Sequence, residues 1–160
     1  MTAHAPSTAQ WLAAAGPAGW FGKLACLGDF GSRRLPPQLT QACDLWLSRG
    51  VAGSQAQLGE RWLDTYLTAP VWRFAWGPGV VNPQWWLGVL MPSVDRVGRY
   101  FPLLVVQAGF RPPASPRALA QAERWFGQVQ AAMLATLQAG ATVEGFDAAL
   151  TGLADWDDGA

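Results

Sequence analysis

Charge is scarce in this sequence, and neither sign predominates. Charged residues make up 14% of the 160 residues, with eleven basic and eleven acidic side chains and a formal net charge of zero. Soluble domains usually contain about 25% charged residues. A neutral chain lacks the basic excess that binds nucleic acid or anionic lipid, so we expect neither as a partner.

Histidine is nearly absent, which argues against most catalytic sites. Because His4 is the only histidine, a Ser-His-Asp or Cys-His arrangement has no base in the rest of the chain. The sequence has no Gly-x-Ser-x-Gly elbow, no Gly-Lys-Ser/Thr phosphate loop and no dinucleotide-binding glycine pattern. Its acidic residues are scattered, whereas a metal site needs clustered ligands. We therefore expect no enzymatic activity, no cofactor and no metal.

Cysteine and signals for export are also lacking. Cys26 and Cys43 are too few for a disulfide framework and are interpreted as reduced packing residues. Residues 1–10 contain no Lys or Arg, so the basic region of a signal peptide is absent. No apolar run reaches the roughly 18 residues of a membrane span. These features predict a cytoplasmic protein without membrane insertion.

Tryptophan, by contrast, is abundant, with ten residues in a chain that is 51% hydrophobic. One buried ring removes roughly 150–250 Å² from water. At about 25 cal/mol per Å², this contributes on the order of 4–6 kcal/mol as an upper bound. We expect most rings in the core and two or three at a partner interface, since Trp and Arg dominate binding hot spots.

The first 36 residues predict a lead-in, one strand and a loop. Residues 1–18 are rich in Ala, Ser, Thr and Pro and read as a flexible lead-in. Trp20–Leu24 is apolar enough for a first strand. Glycines and a proline punctuate residues 28–36, which we interpret as a loop.

Two helices are predicted next. The first begins near residues 36–37, where proline fits a first turn, and Gly50 is a stop signal. The second begins at Ser54, with Gln57 completing a capping box, and ends before Pro70.

The second half predicts three strands and two helices. A long helix opens at Ser115 and closes at Gly140, and a short one follows over 144–153. Residues 154–160 form a loose acidic tail. The predicted strands are Val71–Trp76, Trp85–Met91 and Phe101–Phe110. The apolar face of the long helix comprises Leu119, Ala122, Phe126, Val129, Met133 and Leu137.

This element order predicts an α+β fold. We expect a mostly antiparallel sheet of four to five strands with helices packed on it, in a single domain over residues 19–153. Residues 101–110 are nearly continuous in apolar side chains, which is typical of a central strand covered on both faces. The short connection over 92–100 predicts that this strand and Trp85–Met91 are antiparallel neighbours.

Two segments combine acid, arginine and glycine beside apolar strands. They form either a recognition surface, with arginine forks for carboxylate or phosphate, or an internal network that fixes the loops. Arg73 has the same ambiguity, because stacking on Trp72 or Trp85 competes with a ligand contact. The residues concerned are Asp29, Arg33 and Arg34 in the first segment and Ser93, Asp95, Arg96 and Arg99 in the second.

Several stretches together match a known pattern. They are Gly19-Trp20-Phe21-Gly22-Lys23-Leu24, Gly28-Asp29-Phe30, Arg33-Arg34-Leu35-Pro36, Leu58-Gly59, Trp62, Tyr66 to Phe74, and Gly88 to Leu103. Over residues 19–110 the chain thereby resembles the TagF (ImpM) family of bacterial type VI secretion accessory proteins. It departs from the family in Ala25-Cys26-Leu27 before Gly-Asp-Phe and in Cys43 where the family usually has Trp. Many relatives are longer, and some carry a fused phosphatase domain.

The resemblance implies a post-translational negative regulator of type VI secretion that binds the forkhead-associated (Fha) scaffold protein. It also favours a longin-like sheet. Two alternatives stay open, namely an anion or phosphopeptide sensor that uses the arginine loops, and a structural assembly component of the secretion machine. The residues in question are Asp29, Arg33, Arg34, Ser93, Asp95, Arg96 and Arg99, supported by Trp72 and Arg73.

Overall fold

Within the residues that the computed structural model describes, 12–13 and 16–153, five antiparallel strands form one sheet. Their order across the sheet is β2-β1-β5-β4-β3, so β2 and β3 are the edges. Most of the expected lead-in lies outside the described residues. The expected acidic tail over 154–160 lies entirely outside them. The strands are β1 (Gly19–Lys23), β2 (Phe30–Arg33), β3 (Trp72–Trp76), β4 (Trp85–Met91) and β5 (Leu103–Phe110).

Helices cover both faces of the sheet. Helix α1 (Pro37–Leu58) packs on one face, and α3 (Pro116–Ala135) and α4 (Val143–Thr151) pack on the other. A 3-10 turn and the short helix α2 (Trp62–Leu67) connect α1 to β3. In the described part of the chain, no helix is both long and apolar enough to cross a membrane. The arrangement confirms the α+β class, and the longin-like assignment stays a prediction.

One core lies between the sheet and the pair α3 and α4. Trp20 and Val105 enter it from the strands, and Val129 and Met133 from α3, all with essentially no exposure. The Trp20 ring packs edge-on against Phe146 of α4, with 5.5 Å between ring centroids. This aromatic contact fixes α4 over the first strand.

A second core lies between the sheet and α1. Phe21 and Leu104 from the strands pack with Leu39 and Cys43 from the helix. Both cysteines are free, and Cys26 is half-buried beside the other core. Burial raises the pKa of the Cys43 thiol to about 11, so this side chain is protonated at neutral pH.

Strand β5 joins the two cores. Its residues 103–106 have no exposed surface, and their side chains alternate between the α3 side and the α1 side. The strand pairs antiparallel with β1 and with β4. Both the central position and the antiparallel pairing with Trp85–Met91 are therefore confirmed.

The predicted loop over 28–36 is wrong where edge strand β2 forms. This strand pairs with β1 from Phe30 opposite Lys23 to Arg33 opposite Trp20. The sequence Phe-Gly-Ser-Arg has little intrinsic β propensity. Pairing overrides that preference, helped by a stacked contact between Phe30 and Phe21 at 5.8 Å.

The prediction of two helices separated at Gly50 is also wrong. Helix α1 runs without a break over 22 residues, and Gly50 lies in its interior. The Ser54 hydroxyl donates to the Val51 carbonyl at 2.8 Å and accepts from Trp62 Nε1 at 2.8 Å, so it does not cap a helix. The helix ends instead at Gly59, whose φ of 56° is left-handed.

Helix α3 begins as predicted, because Ser115 Oγ accepts from the Ala118 N–H at 3.1 Å. It ends at Ala135, however, not at Gly140. Leu119 and Leu137 were expected in the core but are about half exposed. The buried face of the helix is therefore rotated from the predicted one. It comprises Ala118, Ala122, Trp125, Val129 and Met133.

Candidate functional site

The candidate polar residues lie in three separate places. The connection between β4 and β5, residues 92–102, is called the Asp95 loop below. It lies at the same end of the sheet as residues 24–29, since Gly22 pairs with Leu103 and Lys23 with Phe30. The Asp95 loop carries Ser93, Asp95, Arg96 and Arg99, and Asp29 lies in the adjacent loop. The second place is the far end of β2, with Arg33 and Arg34. The third is the opposite edge strand, β3, with Trp72 and Arg73.

The carboxylate of Asp95 organises the Asp95 loop. This residue is 3% exposed. Its Oδ1 accepts from the backbone N–H groups of Val97 at 3.0 Å and Arg99 at 2.9 Å. Its Oδ2 accepts from Arg99 Nε at 2.7 Å and forms an ion pair with Lys23 Nζ at 3.1 Å. The carboxylate thus has four donors, which hold the turn at Gly98 in place.

These donors also set the charge of the site. Burial by itself raises the pKa of Asp95, but hydrogen bonds from Arg99 and Lys23, together with the Lys23 charge, hold that pKa well below its usual range. Asp95 is consequently ionised at neutral pH. A buried carboxylate is stable only when it is paired, and Lys23 and Arg99 supply that pairing here.

Lys23 is a member of this site that the sequence interpretation did not include. It is 6% exposed, although it ends an apolar strand. Its Nζ also lies 5.0 Å from the centroid of the Phe30 ring. The sequence holds a signal for this role: Lys23 is the only lysine of the chain and follows an apolar stretch. A lysine buried there needs an acidic partner, since lysine is rarely buried without one.

Ser93 lies beneath the loop surface and not on it. Its hydroxyl donates to the Lys23 carbonyl at 2.7 Å. The Tyr66 hydroxyl donates to the Ser93 carbonyl at 2.8 Å and accepts from the Ser93 N–H at 2.9 Å. Burial, partly offset by this hydrogen bond, raises the pKa of Tyr66 to about 12. Ser93 therefore ties the loop to β1 and α2 and leaves no polar group for a ligand.

Two hydrogen bonds to backbone carbonyls join the Asp95 loop to residues 24–29. The Arg96 N–H donates to the Leu27 carbonyl at 2.7 Å, and Arg99 Nη2 donates to the Gly28 carbonyl at 2.6 Å. The Arg96 guanidinium lies directly over Gly28, where an added Cβ would be 3.0 Å from Nη2. A side chain at Gly28 would therefore crowd the Arg96 guanidinium.

A mixed polar and apolar surface results at this end of the sheet. Val97 is 66% exposed and Phe30 is 44% exposed, beside the exposed Arg96 and Arg99. Asp29 is exposed as well, and its carboxylate accepts from the Phe30 N–H at 2.8 Å. We call these five residues the Arg96 surface. Among the described residues, the Arg96 side chain has no hydrogen bond or ion pair, so its donors are available to a ligand.

Arg34 belongs to a different network at the other end of β2. Its guanidinium donates to the Ala18 carbonyl at 2.9 and 3.0 Å and pairs with Asp147 of α4 at 2.7 and 2.8 Å. The hydrogen bond from Arg34 is the main cause that lowers the pKa of Asp147, with Trp20 Nε1 as a further donor. Arg33 lies nearby, with its guanidinium 5.8 Å from the Trp20 ring centroid.

Arg73 lies on the α3 face of edge strand β3. It pairs with Glu123 at 2.9 Å, donates to Gln130, and lies 5.6 Å from the Phe126 ring centroid. The suggested stacking on Trp72 or Trp85 is wrong, because the guanidinium lies over the Phe126 ring instead and Trp72 points to the opposite face of the sheet. Arg73 therefore does not join the Asp95 loop.

The arrangement supplies hydrogen-bond donors, namely guanidinium groups suited to carboxylate or phosphate oxygens. The described residues include no group of three or more His, Cys, Asp or Glu side chains that could hold a metal ion. The fold and the Asp95 loop together define a class of small α+β domains in which an arginine-bearing loop closes one end of an antiparallel sheet.

Comparison with known proteins identifies the family to which the chain belongs. A family model described as the TagF N-terminal domain, type VI secretion system-associated, matches residues 19–153. The chain therefore belongs to the TagF family. The match continues beyond the 19–110 stretch that carries the sequence resemblance.

One solved structure illustrates the relationship. The crystal structure of PA0076 from Pseudomonas aeruginosa PAO1, at 2.05 Å resolution, is 46% identical and superposes with a TM-score of 0.76. The alignment covers 86% of this chain and 62% of that one, so the chain spans less than two thirds of the length of its neighbour. Among curated proteins, no sequence matches.

Proposed function

We propose that this domain is a non-enzymatic negative regulator of type VI secretion that acts in the cytoplasm by binding the forkhead-associated scaffold protein. Membership of a type VI secretion-associated family supports the biological setting. The observation that carries the binding site is the Arg96 surface, where two exposed arginines lie beside exposed Val97 and Phe30. Arginine and aromatic residues together are typical of interface hot spots.

The Asp95 loop supports this assignment because it is already ordered before a partner binds. The buried pairing of Asp95 with Lys23 and Arg99 fixes the backbone that carries Arg96. A fixed loop loses little conformational freedom on association, which favours affinity. Arg96 is thus the anchor, while Asp95 and Lys23 hold it in position.

The test is a calorimetric titration of the purified domain with the scaffold protein. Arg96→Ala should weaken binding by about tenfold or more while the melting temperature is unchanged, since its side chain is exposed. Arg117→Ala, an exposed arginine on α3, is the matched control and should bind like the wild type. Equal affinity of both variants, or no binding by folded wild-type protein, would contradict the proposal.

A phosphopeptide or anion sensor is the second candidate. Its support is that the guanidinium of Arg96 is unpaired among the described residues and adjoins Arg99. A phosphothreonine peptide at millimolar concentration should then raise the melting temperature, and Arg96→Ala should abolish the rise. A rise with the peptide but no binding of the unphosphorylated scaffold would favour this candidate over the first.

A further inference from the structure

Edge strand β3 has an open side. In the part of the chain that the structure describes, its backbone pairs with β4 from Trp72–Leu90 to Trp76–Trp86 and with no other segment. Every second residue therefore directs its N–H and C=O away from the sheet without a partner. Such a row of donors and acceptors is a template for one further strand.

Apolar depressions flank this edge on the α1 side. One cavity of about 380 Å³ is lined by Trp46, Trp72 and Leu90 among others. A second, of about 290 Å³, is lined by Trp46, Trp76 and Val80 among others. Trp46 of α1 stands between them and contacts Trp76 edge-on, with 5.9 Å between centroids. We call these two neighbouring depressions together the α1–β3 groove.

The rings that border the groove are unusually open to solvent. Trp72 is 59% exposed and Trp46 is 49% exposed. Both lie at the same place, between helix and edge strand, rather than scattered over the surface. Grouped exposed tryptophans beside an unpaired strand are the composition of a binding site rather than of an ordinary surface.

The lining of the groove defines which side chains fit it. No charged residue lines either of its cavities. The two hydroxyl groups in the lining are already engaged, since the Ser54 hydroxyl contacts Val51 and Trp62, and the Tyr66 hydroxyl contacts Ser93. The lining is otherwise mostly apolar, so a large apolar side chain fits the groove better than a charged one, which would lose water without gaining an ionic partner.

The other side of the same edge is different. There a cavity of about 320 Å³ is lined by Arg73 and Glu123 as well as apolar residues. The Glu123 side chain is 61% exposed, so the ion pair between these two residues can still accept polar contacts. The two sides of β3 thus differ in one respect: among the lining residues that the structure describes, charged groups are available only on the α3 side, which suits an extended strand with its polar side chains directed there.

We propose that the β3 edge binds an extended segment of a partner protein as a sixth strand. Large apolar side chains at every second position enter the α1–β3 groove, and polar side chains between them face Arg73 and Glu123. The five residues of β3 match a segment of about the same length, with three apolar side chains on the α1 side. This binding site is separate from the Arg96 surface and does not depend on the scaffold proposal.

The test uses a phage-displayed library of random twelve-residue peptides, selected against the full chain. Enriched peptides should alternate apolar and polar residues over about five positions. A synthetic peptide of the enriched sequence should bind the chain and slow hydrogen exchange of amides within residues 72–76. Two methylated versions of this peptide are then compared, one with its odd-numbered and one with its even-numbered backbone nitrogens methylated. Only one of the two should lose binding, because only every second N–H of the peptide donates to β3.

Variants of the chain locate the site. Trp72→Ser should weaken binding of the selected peptide by about tenfold or more. It should not lower the melting temperature of the chain, since the ring is largely exposed. Leu134→Ser, an exposed apolar residue on α3, is the matched control and should leave binding unchanged.

Three results would overturn the proposal. The first is the absence of any enriched peptide, and the second is a peptide whose binding ignores both Trp72→Ser and backbone methylation. The third is a concentration-dependent dimer that Trp72→Ser dissociates in sedimentation, which would assign the edge to a second copy of this chain. No scaffold protein enters these experiments, so their failure is distinct from failure of the proposed regulator function.

Discussion

At the residue scale, the order of the Asp95 loop depends on one buried carboxylate and its two cationic partners. Asp95 receives two backbone N–H groups as well as Lys23 and Arg99. Removing any partner leaves a buried charge or donor unsatisfied, which costs more than the pair contributes when intact. The Arg96 side chain takes no part in the hydrogen bonds of Asp95, so a substitution at Arg96 should change partner binding without changing stability.

The ionisation of Asp95 predicts how stability responds to acid. Its folded pKa lies below the unfolded value of about 3.9, so its contribution is present above about pH 4 and is lost as pH falls through the folded pKa. Asp95→Asn should lower the melting temperature at pH 7 by on the order of 10 °C. The difference between wild type and variant should shrink between pH 4 and pH 2 in thermal melts.

Asp29→Asn provides the control for this titration. The Asp29 carboxylate is exposed and, among the residues that the structure describes, hydrogen-bonds only to the adjacent Phe30 N–H, so its loss should change the melting temperature by no more than a few degrees. If the Asp95→Asn curve ran parallel to the wild-type curve from pH 7 to pH 2, the ionised carboxylate would not be what stabilises the loop.

At the element scale, helix α1 shows how packing overrides local stop signals. Gly50 interrupts the helical propensity, but the buried face of Leu39, Cys43 and Leu47 is continued beyond it by the half-buried side chains of Val51, Ser54 and Leu58. The true end comes at Gly59, where the backbone becomes left-handed. The two glycines therefore have opposite roles, which substitution can distinguish.

Alanine at Gly50 should stabilise the protein by about 0.5–1 kcal/mol, because the site is helical and an added Cβ meets no atom within 4 Å. Alanine at Gly59 should destabilise it by about 1–2 kcal/mol, since φ there is 56°. Urea denaturation of both variants measures the two signs. A destabilised Gly50→Ala would indicate that α1 bends or breaks there, as the sequence pattern alone suggests.

The sequence predicts elements best where periodicity and caps agree. Strand β4 has the predicted bounds, and Ser115 starts α3 where expected. The missed elements depend on distant partners. Strand β2 forms because β1 lies beside it, and α3 buries Ala118 and Trp125 while Leu119 and Leu137 stay half exposed. Neither outcome leaves a local signal in the chain.

The candidate site was predictable in the same partial way. The sequence brings Asp95, Arg96 and Arg99 together because they share one turn. It does not separate Arg34 from them, because only the fold shows that Arg34 pairs with Asp147 at the other end of β2. The pairing of Lys23 with Asp95 likewise joins residues far apart in the chain.

At the scale of the whole molecule, one sheet serves two cores and two candidate binding surfaces. The Arg96 surface closes one end of the sheet, and the α1–β3 groove follows one of its edges. Trp72 lies at the end of β3 that pairs with Leu90, near the start of the Asp95 loop. A partner could therefore contact both surfaces without spanning the molecule, and single variants in each can measure their separate contributions.

The shared sheet also predicts that both cores unfold together. Residues 103–106 of β5 alternate between them, so losing one core removes the support of the other. Phe146→Ala on the α4 side should cost about 3–5 kcal/mol and Leu47→Ala on the α1 side about 2–5 kcal/mol. In each variant, circular dichroism and tryptophan fluorescence should give one coincident transition.

Leu137→Ala is the control, because Leu137 is half exposed. It should change the free energy of unfolding by no more than about 0.5 kcal/mol. Two separated transitions in either core variant would show that the layers fold independently.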